Sequence, residues 1–310
     1  TKADSVEKVT VAELLPILEN TGFKLDEQPY SSLFKIYQKE FLEISVSTGL
    51  IHADSLALAG DGTPVVTSHR ERKKRICKCK ENGIHDCNCD RYFSQPDCDI
   101  GWDSSRDCYY HGYDLYMLVD SQSDLPVFPH FSCASKHDSH GFLHAFFRMK
   151  SFLPEYSVSK VLLDSAHDAM PYYQYFKREN ITPFIDLNGK GGRPPVYKND
   201  FTIDKDGVPI CPSGYRMRRD GIEAAKGRMK FKCPKISHSN GCISCTCKKP
   251  CSNAKYGRTV HLVLKDNPRL FNNPPRNSKE WKLEYNVRTS AERSNKREKL
   301  DFKLEDGRHR

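Results

Sequence analysis

Tyr285-Asn-Val-Arg288-Thr-Ser-Ala-Glu292-Arg-Ser-Asn-Lys-Arg-Glu-Lys299 carries the reading of the whole chain. As a helix at about 100° per residue, it places Tyr285, Arg288, Glu292 and Lys299 at roughly 0°, 300°, 340° and 320°. One arc about 60° wide then offers a ring, a guanidinium, a carboxylate and an ammonium. A carboxylate flanked by cations suits a place where a metal and a phosphodiester meet. The ordinary reading is a solvated face with Arg288 and Glu292 as an i,i+4 ion pair. Trp281 lies one turn earlier, at about 320°. It is a candidate for stacking on an unpaired base, although such a Trp is more often core.

Two further carboxylates bear on the choice. Ser55-Leu-Ala-Leu-Ala59 reads as a short strand opening into a turn at Gly60-Asp61-Gly62-Thr63, and Lys160-Val-Leu-Leu-Asp164 as a compact strand ending in an acid. Asp61 is alternatively a turn aspartate, and Asp164 an N-cap for the next helix. Carboxylates at strand ends of one sheet project from the same edge. Three of them repel unless divalent cations are present, and two hard cations would make a two-metal phosphodiester site. His137-Asp138 and His167-Asp168 are candidates for supporting such metals, with loop or capping roles as the commoner outcome.

Between these points lie a hairpin signature, Tyr109 to Val119 and Leu125 to Ala134 around Asp120–Asp124, and a helix over Gly141 to Phe152. A helix over Asp168 to Lys177 and a strand over Ile181 to Leu187 follow. Amphipathic helices are expected at 6–20 and 30–46, and helix again over 278–300. The order predicts an α/β fold, a mixed sheet covered by helices. Residues 1–54 read as an N-terminal helical region and 55–187 as the first part of the core, with a Cys-rich insertion at 69–108. Residues 188–265 read as an inserted basic, Cys-rich module, and 266–310 as the return to the core.

The complete Tyr-x2-Arg-x3-Glu-x6-Lys pattern, with the Ala59-Gly-Asp61-Gly-Thr63 and Val161-Leu-Leu-Asp164-Ser-Ala-His-Asp-Ala segments, resembles the DDE transposases of bacterial insertion sequences. Gly112-Tyr113 ahead of the hairpin is similar too. The resemblance covers about residues 55–187 and 266–310 and implies an RNase H-like core. It implies that Asp61, Asp164 and Glu292 hold two Mg²⁺ or Mn²⁺ ions. It also implies that Tyr285, Arg288 and Lys299 contact phosphates of the transposon end, with Trp281 nearby. The implied activity is cleavage at transposon ends and strand transfer into target DNA. The implied partner is double-stranded DNA, bound by a homodimer at the bacterial nucleoid in the cytoplasm. The alternatives are a simple nuclease and an inactive or domesticated relative acting as a zinc-stapled DNA-binding protein. The Cys-rich insertion departs from the family, and no N-terminal helix-turn-helix is evident.

Composition sets wider bounds. The chain has 310 residues, 49 Lys+Arg against 40 Asp+Glu, and a formal charge of +9, a mild pointer to a polyanionic partner. Its apolar runs are too short for a transmembrane helix, and no signal peptide is visible. It begins at Thr1 without a methionine, which leaves room for further sequence at either end. Thirteen cysteines, clustered in a chain without a secretory signal, read as metal sites before disulfides. Cys233, Cys242, Cys245 and Cys251, with Cys247 competing for a place, form the expected zinc site. The Cys242/Cys245 spacing is that of a zinc knuckle. Cys77, Cys79, Cys87 and Cys89 fit zinc less well by spacing. Buried or free thiols are the alternative for both clusters. Basic residues surround each, as suits contact with phosphates.

Overall fold

A computed structural model describes residues 31–67, 74–75, 77–89, 91–92, 95, 98–189, 201–239, 242–276 and 278–304. The expected helix at 6–20 lies outside them. The chain is mixed α/β and divides into two compact units. One holds Asn20–His167, Ile181–Ile185 and Val287–Arg310. The other includes Asp168–Asn180 and Asp186–Asn286.

The first unit is built on a mixed sheet. Its strands are β1 (Leu56–Val66), β4 (Asp99–Asp103), β5 (Cys108–Asp120), β6 (Pro126–Cys133), β7 (Val158–Leu163) and β8 (Thr182–Ile185), while β2 (Lys74–Arg75) and β3 (Arg91–Tyr92) form a separate ribbon. The order is β6–β5–β1–β7–β8, with β4 continuing along the first residues of β5. β5 runs antiparallel to β1 and β6, whereas β1, β7 and β8 are parallel. The central strands read as apolar runs because both faces are covered. Leu56, Leu58, Leu118, Val161, Leu162 and Leu163 are all buried.

β1 does not end in a turn before Asp61, as Gly60 and Gly62 suggested. It continues to Val66, with Asp61 opposite Met117 and Gly62 opposite Tyr116. These glycines serve close approach instead. A Cβ on Gly60 would stand 2.6 Å from the Tyr116 hydroxyl, and one on Gly62 2.7 Å from Asp138. Gly112 is tighter still: its Cβ would fall 2.0 Å from the Val65 carbonyl oxygen.

Helices cover both faces. α1 (Ser31–Tyr37) runs through a π-helical stretch, Gln38–Leu42, into α2 (Glu43–Ser47). Phe34 of α1 packs on Phe128 and Phe152, with ring centroids 4.5 and 5.3 Å apart. α3 (Asp138–Phe152) lies over the Tyr116 face and brings Gly141 and Phe142 against that ring.

The expected continuous helix over 278–300 is two helices, α5 (Lys279–Asn286) and α6 (Thr289–Leu300), separated at Val287–Arg288. α6 buries the small side chains Ser290, Ala291 and Ser294, and so approaches β1 and β5 closely. Arg293 fixes its position through a forked pair of bonds, 2.6 and 2.7 Å, to Asp124 in the hairpin turn.

The second unit holds α4 (Met170–Arg178), the hairpin of β9 (Thr202–Ile203) and β10 (Pro209–Ile210), and the sheet of β11 (Arg218–Glu223), β12 (Arg228–Lys232) and β15 (Thr259–Val263). It also holds the pair β13 (Ile236–Ser239) and β14 (Cys242–Cys245), and α5. Its core gathers Phe201, Ile203, Met229, Phe231, Leu262 and Phe271. Arg276 is buried there and donates to the Asn272 side chain at 2.9 Å and to the Tyr173 hydroxyl at 2.7 Å. Among the described residues, no helix is long and apolar enough to cross a membrane.

A candidate acid cluster and a tetrathiolate

The register of two parallel strands brings the first two acids together. Ala59 of β1 pairs with Leu162 of β7. Two residues further along the chain stand Asp61, still within β1, and Asp164, the residue that follows β7. Strand alternation returns them to one face, and neighbouring strands lie only about 4.8 Å apart. α6 crosses that face. Its Asn295 is buried and donates to Asp61 Oδ2 at 3.2 Å. Glu292 stands one turn before Asn295, in the first turn of α6, and accepts a hydrogen bond from Arg288.

Electrostatics ties these groups into one cluster. Burial of its carboxyl raises Asp61 to about 7. Arg288 opposes this, while the like charges of Asp138, Asp164 and Glu292 add to it. Asp114 of β5 is pushed to about 8 by burial, then by Asp138 and Asp61. Burial raises Asp138 too, with Asp164 adding to it and His167 and His137 opposing. Asp164 goes the other way. Burial pushes it up, but the His167 hydrogen bond and charge, the Ala166 N–H and Arg288 bring it below the usual carboxylate range. Five acids thus feel one another's charge, and those that burial pushes upward resist ionising together. Hard oxygen donors that repel one another are of the chemical type that divalent cations take.

A buried relay supports Asp164. His167, 1% exposed, follows it in a short 3₁₀ turn, Ser165–His167. Its Nδ1 lies 2.6 Å from Asp164 Oδ1 and its Nε2 2.9 Å from the Tyr116 hydroxyl. A carboxylate only accepts, so Nδ1–H donates to Asp164, and Nε2 pairs with the Tyr116 hydroxyl. The candidate pairs of the sequence therefore divide. His167 supports Asp164, whereas Asp168 is held by Arg269 of the second unit at 2.6–2.9 Å. His137 caps α3 by accepting from Ser139 N, and Asp138 faces the acids. Asp114 and Asn295 did not figure in the sequence reading. The available signal for Asp114 was a charged residue inside an alternating apolar strand.

The remaining residues of the signature fall as follows. Arg288 and Lys299 belong to the unit that carries the acids, at the start and near the end of α6. Tyr285 and Trp281 lie on α5 of the other unit, rings stacked 4.5 Å apart. Trp281 is buried and Arg276 covers it. It packs as core and does not offer a face to a base.

The cysteines reverse the expected order. Sγ atoms of Cys77 and Cys87 lie 3.4 Å apart, those of Cys79 and Cys89 3.5 Å, and all four fall within 4.8 Å of one another. They could hold a metal such as zinc. Among the described residues, this is the one group of three or more His, Cys, Asp or Glu ligand atoms gathered so closely; the acids do not close to that spacing. Cys77 and Cys79 lie in a bend and turn, where the Glu81, Asn82 and Ile84 N–H groups donate back to the Lys78 and Cys79 carbonyls. The antiparallel β2–β3 ladder then brings the two pairs face to face.

The described thiols of the second cluster do not gather in this way. Cys233 is buried and Cys245 exposed, Cys247 donates to the Lys249 carbonyl, and Cys251 packs at the edge of the core that holds Cys211. The Cys242–Cys245 segment is strand β14, not the turn from which that spacing chelates; the Cys242 side chain lies outside the described residues.

No protein-family model matches the chain, and no curated protein matches it.

Proposed function

We propose that the chain is a metal-dependent DNA transposase of RNase H-like fold, cutting at the ends of a mobile element and joining them to target DNA. One observation carries the reading: Asp61, in β1, feels the charges of Asp164, the residue after the neighbouring parallel strand β7, and of Glu292 on the crossing helix. The strand order, counted in sequence among the five core strands, is 3-2-1-4-5, with the second strand antiparallel to the other four. That supports the RNase H-like assignment.

Asp61, Asp164 and Glu292 would hold two Mg²⁺ or Mn²⁺ ions, which when bound activate the attacking oxygen and stabilise the leaving one. The protein's own part is positional. His167 and Tyr116 orient Asp164, Asn295 orients Asp61, and Arg288 offsets the excess negative charge between Asp61 and Glu292. Arg288 and Lys299 would meet phosphates of double-stranded DNA, as would the basic surface of a chain with +9 formal charge. A homodimer on the DNA, in the bacterial cytoplasm, completes the proposal.

The test is supercoiled plasmid carrying the element's own ends. Mn²⁺-dependent nicking at those ends, followed by joined products, is the expected result. Nicking without preference for the ends would instead indicate a nuclease, and binding with no nicking a DNA-binding relative. Arg288→Ala and Lys299→Ala should each weaken binding and lower the salt slope by about one, as one lost phosphate contact does. Unchanged affinity and slope in both would remove these residues from the DNA surface.

A further inference from the structure

We propose that Cys77, Cys79, Cys87 and Cys89 bind one Zn²⁺ as a closed structural centre that fastens the insertion between β1 and β4. This goes beyond the transposase reading and shares no residue with it. Four sulfurs around zinc at about 2.3 Å define a tetrahedron whose edges are about 3.8 Å. The two observed pairs, at 3.4 and 3.5 Å, and the outer limit of 4.8 Å need only small adjustments to reach it. They are far beyond the roughly 2.05 Å of a disulfide. Among the described residues no carboxylate or imidazole joins the group, and an all-thiolate set selects soft-binding metals such as zinc. With four protein ligands, no position stays open for water or substrate, so the centre is structural.

The segment gives a second reason. No residue from 77 to 89 is buried, and Ile84 is 52% exposed. Apolar burial therefore does not hold these thirteen positions in place. A turn does part of the work, with Ile84 N–H donating to the Cys79 carbonyl at 2.8 Å and Gly83 at φ +77°. That turn fixes one arm only. The metal would tie it to the other arm and so set the register of the β2–β3 ribbon, Lys74 opposite Tyr92 and Arg75 opposite Arg91. Residues 69–80 carry seven Lys/Arg against one Glu. Lys78 and Lys80, within that stretch, offset the net negative charge of a zinc tetrathiolate.

The experiment is metal analysis of the full chain purified under reducing conditions, with Cys87→Ser/Cys89→Ser as the paired variant. The variant should contain about one zinc equivalent less than wild type, and limited proteolysis should cut it faster between residues 68 and 97. Because the variant could misfold, wild type refolded with Co²⁺ gives a second readout. It should show the thiolate-to-metal charge-transfer absorption of four sulfurs, and Cys79→His should keep the metal with that absorption reduced. Equal zinc content in wild type and Cys87→Ser/Cys89→Ser would overturn the proposal. So would iron in place of zinc, or the four thiols recovered as two disulfides.

Discussion

Asp61→Asn, Asp164→Asn and Glu292→Gln should each lower Mn²⁺-dependent cleavage of DNA carrying the element's ends by roughly a thousand-fold or more. On the proposed function, the several kcal/mol that bound divalent ions contribute to such a transition state would depend on all three carboxylates. DNA binding should survive, because on that proposal it rests on Lys and Arg. Stability should move the other way for Asp61. Its carboxyl titrates near 7 in the fold against a usual 3.8. Between those values the folded chain holds more protons than the unfolded one, so metal-free stability falls as pH rises through that window. Asp61→Asn removes that share of the pH dependence and should leave the metal-free protein at least as stable near pH 8. Cleavage at near-normal rate in any one of the three, or a melting temperature that collapses in Asp61→Asn, would mean that the acids have another role.

His167→Ala should come next in size. A group that orients a ligand for a metal typically carries 10- to 100-fold in metal affinity or activity, and His167 is the buried link between Asp164 and Tyr116. The expected signature is a shift, by about tenfold or more, in the Mn²⁺ concentration that gives half-maximal cleavage. Saturating Mn²⁺ should recover much of the rate. His167→Gln, whose amide can still donate to Asp164, should lie between the two. Tyr116→Phe should have the smallest effect, since it removes only the outer hydroxyl. An equal loss of rate at every Mn²⁺ concentration, with the fold intact, would deny His167 this positioning role.

What the sequence made legible was local pattern. The hairpin read as Tyr109 to Val119 and Leu125 to Ala134 is β5 and β6 within a few residues. The apolar run ending at Asp164 is β7. Both follow from periodicity and turn chemistry, which need no knowledge of the partner strand. Gly60 and Gly62 misled, because glycine marks turns as well as close approach, and only the distant Tyr116 and Asp138 distinguish the two.

Asp114 and Asn295 were hidden for a similar reason. Their place beside the acids depends on strand pairing and on where α6 crosses, both long-range facts. Trp281 lay on the right arc of an ideal helix, but the break at Val287–Arg288 ends that helix. The cysteines show the limit of spacing as a guide. The Cys-x2-Cys segment is extended, and the less familiar Cys-x-Cys pairs meet because a ribbon folds them together.

The most direct test of the account is a crystal of the full chain soaked in Mn²⁺, with the ions located by anomalous scattering. The expected result is two ions in a site whose ligands include Asp61, Asp164 and Glu292. Crystals in which Asp61, Asp164 and Glu292 remain free of Mn²⁺ at saturating concentration, or in which the ions bind elsewhere, would contradict it.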